Sequence, residues 1–93
     1  MEYVVRFKQA ARERFERLPR KVQRQLAAKV DQLRRDPRSV GATKMAGAED
    51  LFRVRAGDYR IIFAYGESGV IWVVKIGDRK DLYEELRRHG LLG

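Results

Sequence analysis

LFRVRAGDYRIIFAY, residues 51–65, holds two short apolar runs either side of Gly57-Asp58, with Arg53, Arg55 and Arg60 set inside them. A Gly-Asp pair between two β-rich runs predicts a hairpin, the glycine supplying the positive φ that a type I′ or II′ turn requires. In that register residue 56 pairs with 59, 55 with 60, 54 with 61 and 53 with 62. Side chains alternate across a strand, so Phe52, Val54, Tyr59, Ile61 and Phe63 share one side while Arg53, Arg55, Arg60 and Ile62 share the other. A three-residue loop would shift the register and put Arg60 on the apolar side, where an unpaired charge is very costly. The hydrophobic pattern therefore selects the register that gathers the arginines into a cationic shelf.

The chain on either side completes a small domain. Residues 2–7, EYVVRF, alternate as a first strand. From Lys8 to about Arg17 the spacing turns helical and ends at Pro19, which cannot continue a helix. Residues 20–35 carry Val22, Leu26, Val30 and Leu33 as one apolar stripe of an amphipathic helix, stopped at Asp36-Pro37. The two helices form a hairpin joined at Leu18-Pro19-Arg20. Residues 37–50 form the one long loop, and strands are expected over about 51–56, 59–66 and 70–76. The last strand, VIWVVKIG, is apolar on both faces and belongs inside the sheet. By strict alternation Val70, Trp72, Val74 and Ile76 lie on one side of it, with Ile71, Val73 and Lys75 on the other. Residues 81–89 fit a short helix capped near Asp81. The expected fold is α+β, one domain over residues 1–93: a small antiparallel sheet with the helix hairpin packed on one face, in the order strand, helix, helix, three strands, short helix.

Composition limits the function. The chain has 21 Lys and Arg against 13 Asp and Glu, a formal charge of +8. That balance favours a polyanion or a strongly acidic protein as partner, although a charge-dense surface also occurs without one. Absence of cysteine excludes thiol catalysis and disulfides, and the scattered carboxylates suggest no metal site. No apolar run approaches the roughly 20 residues that cross a bilayer, and the N-terminus carries charges throughout, so a cytoplasmic location is expected. The one histidine, His89, is read as a surface residue. On exposed strands charges also protect against edge-to-edge aggregation, which is the structural reading of the shelf. Its functional reading is phosphate recognition, because arginine offers bidentate contacts and keeps its charge. Lys44, Arg55 and Lys80 are further candidates for phosphate contact.

The series LFRVRAGDYRIIF, followed by VIWVVKIGDRKDLY, resembles the C-terminal half of the RelE/ParE superfamily of toxin–antitoxin toxins, and most nearly its RelE type; the order of elements matches over essentially the whole chain. The resemblance implies a ribosome-dependent, metal-independent endoribonuclease without cofactor. It would enter the 30S A site, contact rRNA, cut mRNA within the codon and be neutralised by an acidic, RelB-like antitoxin. It marks Arg53, Arg60, Arg79 and Tyr83 as catalytic. Two places depart from the pattern of many members: Leu51 stands two residues before Arg53 where some have lysine, and Asp78 stands before Arg79 where many have histidine. The general base stays open among Lys80, Lys44 and a ribosomal group, and Tyr83 among stacking, proton transfer and packing. Two rivals share the fold: a ParE-like inhibitor of DNA gyrase, and a catalytically inert module that only docks an antitoxin.

Overall fold

The computed structural model describes residues 2–45, 50–78 and 87. Of the final helix expected over 81–89 only Arg87 is described, and it is helical; the other positions lie outside the described residues. After a first strand, β1 (Val4–Phe7), come α1 (Gln9–Arg17) and α2 (Arg20–Arg35). The stripe on α2 does what its spacing predicts: Leu26 and Leu33 are fully buried, with Val22 and Val30 packed beside them. Where Leu18-Pro19 interrupts the helices, the Gln23 amide donates to the carbonyls of Phe15 and Glu16 at 3.0 and 3.3 Å. A side chain of α2 thus caps the end of α1, adding to the Leu18 N–H that the Phe15 carbonyl also accepts at 3.2 Å. At the far end Asp36 turns extended, as a residue before proline must, and its N–H closes the last turn on Gln32 at 2.9 Å.

That end of α2 is tied to the start of the chain by charge. Asp31 accepts hydrogen bonds from Arg34 at 2.5 Å and from Arg35, and Arg34 also reaches Glu2 at 2.6 Å. The Arg34 carbonyl accepts the Tyr3 N–H at 2.7 Å. These contacts bring residues 2–3 to α2 just before β1 begins.

Beyond the helices lie β2 (Thr43–Lys44), β3 (Phe52–Ala56), β4 (Tyr59–Tyr65) and β5 (Val70–Asp78). They join β1 in one sheet of order β1-β5-β4-β3-β2. The β3–β4 register is the expected one, from Ala56 opposite Tyr59 to Phe52 opposite Phe63. Gly57 has φ 63°, and of the two loop residues only this one is positive, which defines a type II′ turn. The apolar side of the hairpin, Val54, Ile61 and Phe63, is buried with Ile71, Val73 and Ile76 of β5 against Leu26, Leu33 and Ala11 of the helices.

Three features differ from the sequence expectation. The sheet is mixed: β2 to β5 are antiparallel, but β1 lies parallel to β5, Val4 beside Val70 and Phe7 beside Val73. A parallel pair needs a long crossover, and the helix hairpin is part of the segment that crosses. Within the expected loop, Thr43 and Lys44 form the short edge strand β2 against Arg53 and Phe52; two polar residues carry no period from which to read it. Finally, β5 does not alternate strictly. Ile62 pairs with Lys75 but Phe63 pairs with Val73, leaving Val74 as a bulge. Strict alternation would have set Lys75 beside the buried Ile71 and Val73. The extra residue puts Ile76 there instead and turns Lys75 to the opposite face, which avoids burying an ammonium in the core.

Two outcomes follow for stability. Gly57→Ala should cost ~1–3 kcal/mol in urea unfolding, because the position requires left-handed backbone and a Cβ there would also meet the Gln25 side-chain oxygen at 2.9 Å. The Arg35 and Arg34 guanidinium groups hold the Asp31 carboxyl below its ordinary value. A depressed carboxyl stabilises the fold above its unfolded pKa and loses that contribution as pH falls through the folded value. Asp31→Asn should therefore lower stability at neutral pH, and its urea midpoint should converge on that of the parent as the medium is acidified below the usual aspartate range.

Candidate functional site

The face of the sheet away from the helices carries the cations. Cross-strand register sets them in rows. Nearest the Gly57-Asp58 turn, Arg55 stands opposite Arg60, which stands opposite Gly77. In the next row Thr43, Arg53, Ile62 and Lys75 follow one another across β2 to β5. One row further, Ala64 is followed by Trp72 and then Arg6. Two residues separate successive rows on β4, about 7 Å.

Arg53, Arg60 and Lys75 are half-buried and Arg55 is exposed. The Arg55 Nε donates to the Gly57 carbonyl at 3.1 Å, which anchors the side chain over the turn. Ile62 has no exposed surface, although it stands outside the helix-side core cluster. The second row thus has an apolar centre with a cation on each side. Like charges directly opposite one another on a sheet destabilise it by about 0.2–1 kcal/mol, and Arg55 with Arg60 is such a pair. The arrangement suits an anion placed between guanidinium groups, whose planar donor forks match phosphate oxygens two at a time.

Among the expected site residues, Arg53, Arg55 and Arg60 come together on this face. Lys44 does not join them: it pairs with Phe52 and so takes the side of the sheet that Phe52 takes, opposite to Arg53. Arg79, Lys80 and Tyr83 lie outside the described residues. Lys75 is a member of the face that alternation had assigned elsewhere. Its signal was the doubled Val73-Val74 before a lone lysine, a pattern that can keep the lysine out of a core only by a bulge.

Residues 5–83 match the family described as the ParE toxin of type II toxin–antitoxin system, parDE. The chain therefore belongs to the RelE/ParE superfamily and is a toxin of a type II toxin–antitoxin system. The matched span includes Arg79, Lys80 and Tyr83. Among solved structures it is similar to RelE in an archaeal RelE–RelB complex from Pyrococcus horikoshii OT3, at 28% identity over 86% of this chain and 98% of that one, TM-score 0.72. It is also similar to a mutant E. coli RelE in the free state, at 24% identity over 96% of this chain and 98% of that one, TM-score 0.75. A third is a chain of the RelBE2 toxin–antitoxin complex of Mycobacterium tuberculosis, at 22% identity over 85% and 100% of the two chains, TM-score 0.75. The last two likenesses are of fold. No curated protein matches the chain in sequence.

The like-charge row makes a stability prediction of its own. Arg55→Thr should raise unfolding free energy by up to about 1 kcal/mol, since it removes the repulsion opposite Arg60 and introduces a good strand former. The gain should shrink as salt screens the parent's repulsion. A loss of stability at low salt would mean that the bond to Gly57 outweighs the repulsion.

Proposed function

We propose that this toxin is a ribosome-dependent endoribonuclease that cuts mRNA in the A site and so halts translation. The observation that carries the reading is the placement of Arg55 opposite Arg60, with Arg53 and Lys75 in the adjoining row, on a sheet face away from the core. Guanidinium and ammonium groups gathered on one face match the oxygens of phosphates.

The chemistry follows from what the chain holds. Cleavage proceeds by attack of an RNA 2′-hydroxyl on the adjacent phosphorus. It leaves a cyclic phosphate on one product and a 5′-hydroxyl on the other. It needs a proton acceptor, stabilisation of charge on the phosphorus, and a proton donor for the leaving oxygen. With one histidine and no cysteine, this chain has charge stabilisation as its main resource. Arg60 and Arg79 take the scissile phosphate and its developing charge. Arg53 holds a neighbouring phosphate or orients the nucleophile, and Tyr83 stacks on a base or takes part in proton transfer. Arg55, Lys75 and Lys80 add phosphate contacts. Arginine stays protonated near neutrality, so the base falls to Lys75, Lys80 or a ribosomal group; Lys44, on the other side of the sheet, is poorly placed for it. Poverty in acid–base groups is consistent with dependence on the ribosome, where holding the mRNA in a reactive geometry supplies several kcal/mol.

The partner that restrains this toxin is an acidic antitoxin. The structural relatives include RelE–RelB complexes, and a formal charge of +8 favours an acidic counterpart. A second reading is inhibition of DNA gyrase, favoured by the ParE description of the matched family.

Primer extension on an mRNA threaded through purified ribosomes separates the two. The expected result is a cut within the A-site codon that is absent on naked RNA and falls at least about a hundredfold with Arg60→Ala, the scale of losing one preorganised charge-stabilising donor. No cut on ribosomes, with loss of gyrase supercoiling activity, would replace the nuclease reading by the gyrase one.

A further inference from the structure

A groove of about 760 Å³ lies at the edge of β1 that no other described strand pairs, and its lining combines Phe7 and Phe15 with Arg6, Arg12, Glu16 and Trp72. The Phe7 and Phe15 rings meet edge to face at 5.9 Å. Trp72 belongs to the arginine-bearing face of the sheet: Ala64 stands beside it on β4 and Arg6 beside it on β1. The Lys8 ammonium sits 4.2 Å above the indole. Gly66 leaves the ring its place, since a Cβ there would meet Cδ1 at 2.8 Å and Nε1 at 2.9 Å.

The edge of β1 contributes backbone groups as well. Val4 and Lys8 donate their N–H groups towards β5, to Gly69 and Val73, both at 2.9 Å. In a parallel ladder alternate residues turn to opposite sides, so Val5 and Phe7 direct their N–H and C=O groups to the open edge. The groove therefore offers an aromatic ring, cations around it, and peptide donors and acceptors within reach. A base has a π-face for the first, a phosphate for the second and hydrogen-bonding edges for the third.

We propose that this groove is a nucleotide subsite for single-stranded RNA, in which a base stacks on Trp72 and its phosphate is held by Arg6 and Lys8. The proposal rests on the RNA reading of the sheet face and extends it. The Trp72 row stands about 7 Å from the row of Arg53 and Lys75 and about 14 Å from that of Arg55 and Arg60, so a short run of nucleotides spans both on one continuous cationic surface. Lys8 now rests on the ring. When a base takes that place the ammonium turns to the phosphate, exchanging a cation–π contact, weak at an exposed site, for a charge-assisted one. An acidic peptide is the competing occupant. Only two residues of β1 face outward, which is short for strand addition, whereas one stacked nucleotide needs no more.

Trp72 is the one tryptophan in the chain, so its fluorescence reports on the groove directly. The full-length toxin would be titrated with a short 2′-O-methyl RNA, which resists cleavage, and separately with an acidic peptide of equal charge. Saturable quenching by the RNA is expected, weakened about tenfold or more by joint Arg6→Ala and Lys8→Ala substitution. Labelled RNA should bind Trp72→Phe nearly as well as the parent and Trp72→Leu about tenfold less tightly. Arg60→Ala should cut ribosomal cleavage by about a hundredfold or more and weaken the quenching without removing it, since the base still meets Trp72. RNA binding that leaves Trp72 fluorescence unchanged, or quenching by the peptide in preference to the RNA, would overturn the subsite. Cleavage on ribosomes without quenching removes this inference alone, and quenching without cleavage on ribosomes removes the nuclease reading alone.

Discussion

The two-residue turn at Gly57-Asp58 is the constraint on which the rest of this structure depends. With Gly57 in left-handed backbone, Ala56 must face Tyr59, and every pair along β3 and β4 follows from that one. The same register performs two tasks at once. It delivers Val54, Ile61 and Phe63 to the helices and turns Arg53, Arg55 and Arg60 to the other side. A slip by one residue would exchange the two sets, exposing the core side chains and burying guanidinium groups.

Magnitudes explain why the sheet tolerates this. Fully burying an isoleucine or phenylalanine contributes roughly 1.5–3 kcal/mol, and this hairpin buries Ile61 and Phe63 completely. Opposed like charges cost about 0.2–1 kcal/mol. The apolar half of the hairpin therefore outweighs the repulsion in the cationic half several times over, and the arginine rows are kept in place by residues on the reverse of the same strands. The bulge at Val74 extends the principle to β5. By inserting one residue between two pairings it satisfies the core with Ile76 and sends Lys75 to the face that already carries Arg53.

Much of this was legible in the sequence, and the limits have physical causes. Period and punctuation locate α1, α2 and the central hairpin, because each has its own local signal: an apolar stripe, a proline stop, a Gly-Asp loop. The placement of β5 inside the sheet follows from its apolar character on both faces. What local pattern does not carry is direction and neighbourhood. Whether β1 runs with or against β5 depends on the route the chain takes between them, and β1 carries no mark of it in its own residues. The edge strand β2 is two polar residues held by β3. Lys75 and Lys44 were both assigned by alternation or proximity. The first is moved by a bulge whose cause is the core, and the second is turned away by pairing with Phe52. Of the candidate site, the arginines of the hairpin were readable from pattern, while the catalytic assignment of Arg79 and Tyr83 rested on resemblance.

The cationic face is also larger than the hairpin that first revealed it. Because β1 docks parallel to β5, Arg6 comes to lie beside Trp72, and Lys8, at the start of α1, folds over that ring. Had β1 joined the sheet at its other edge, next to β2, those two cations would stand on the far side of Arg53 and away from any aromatic ring. The crossover that carries the helix hairpin thus does more than close the core. It turns a patch on β3, β4 and β5 into a surface that runs across most of the sheet. A flexible strand suits such a surface, since successive phosphates along it can meet successive rows.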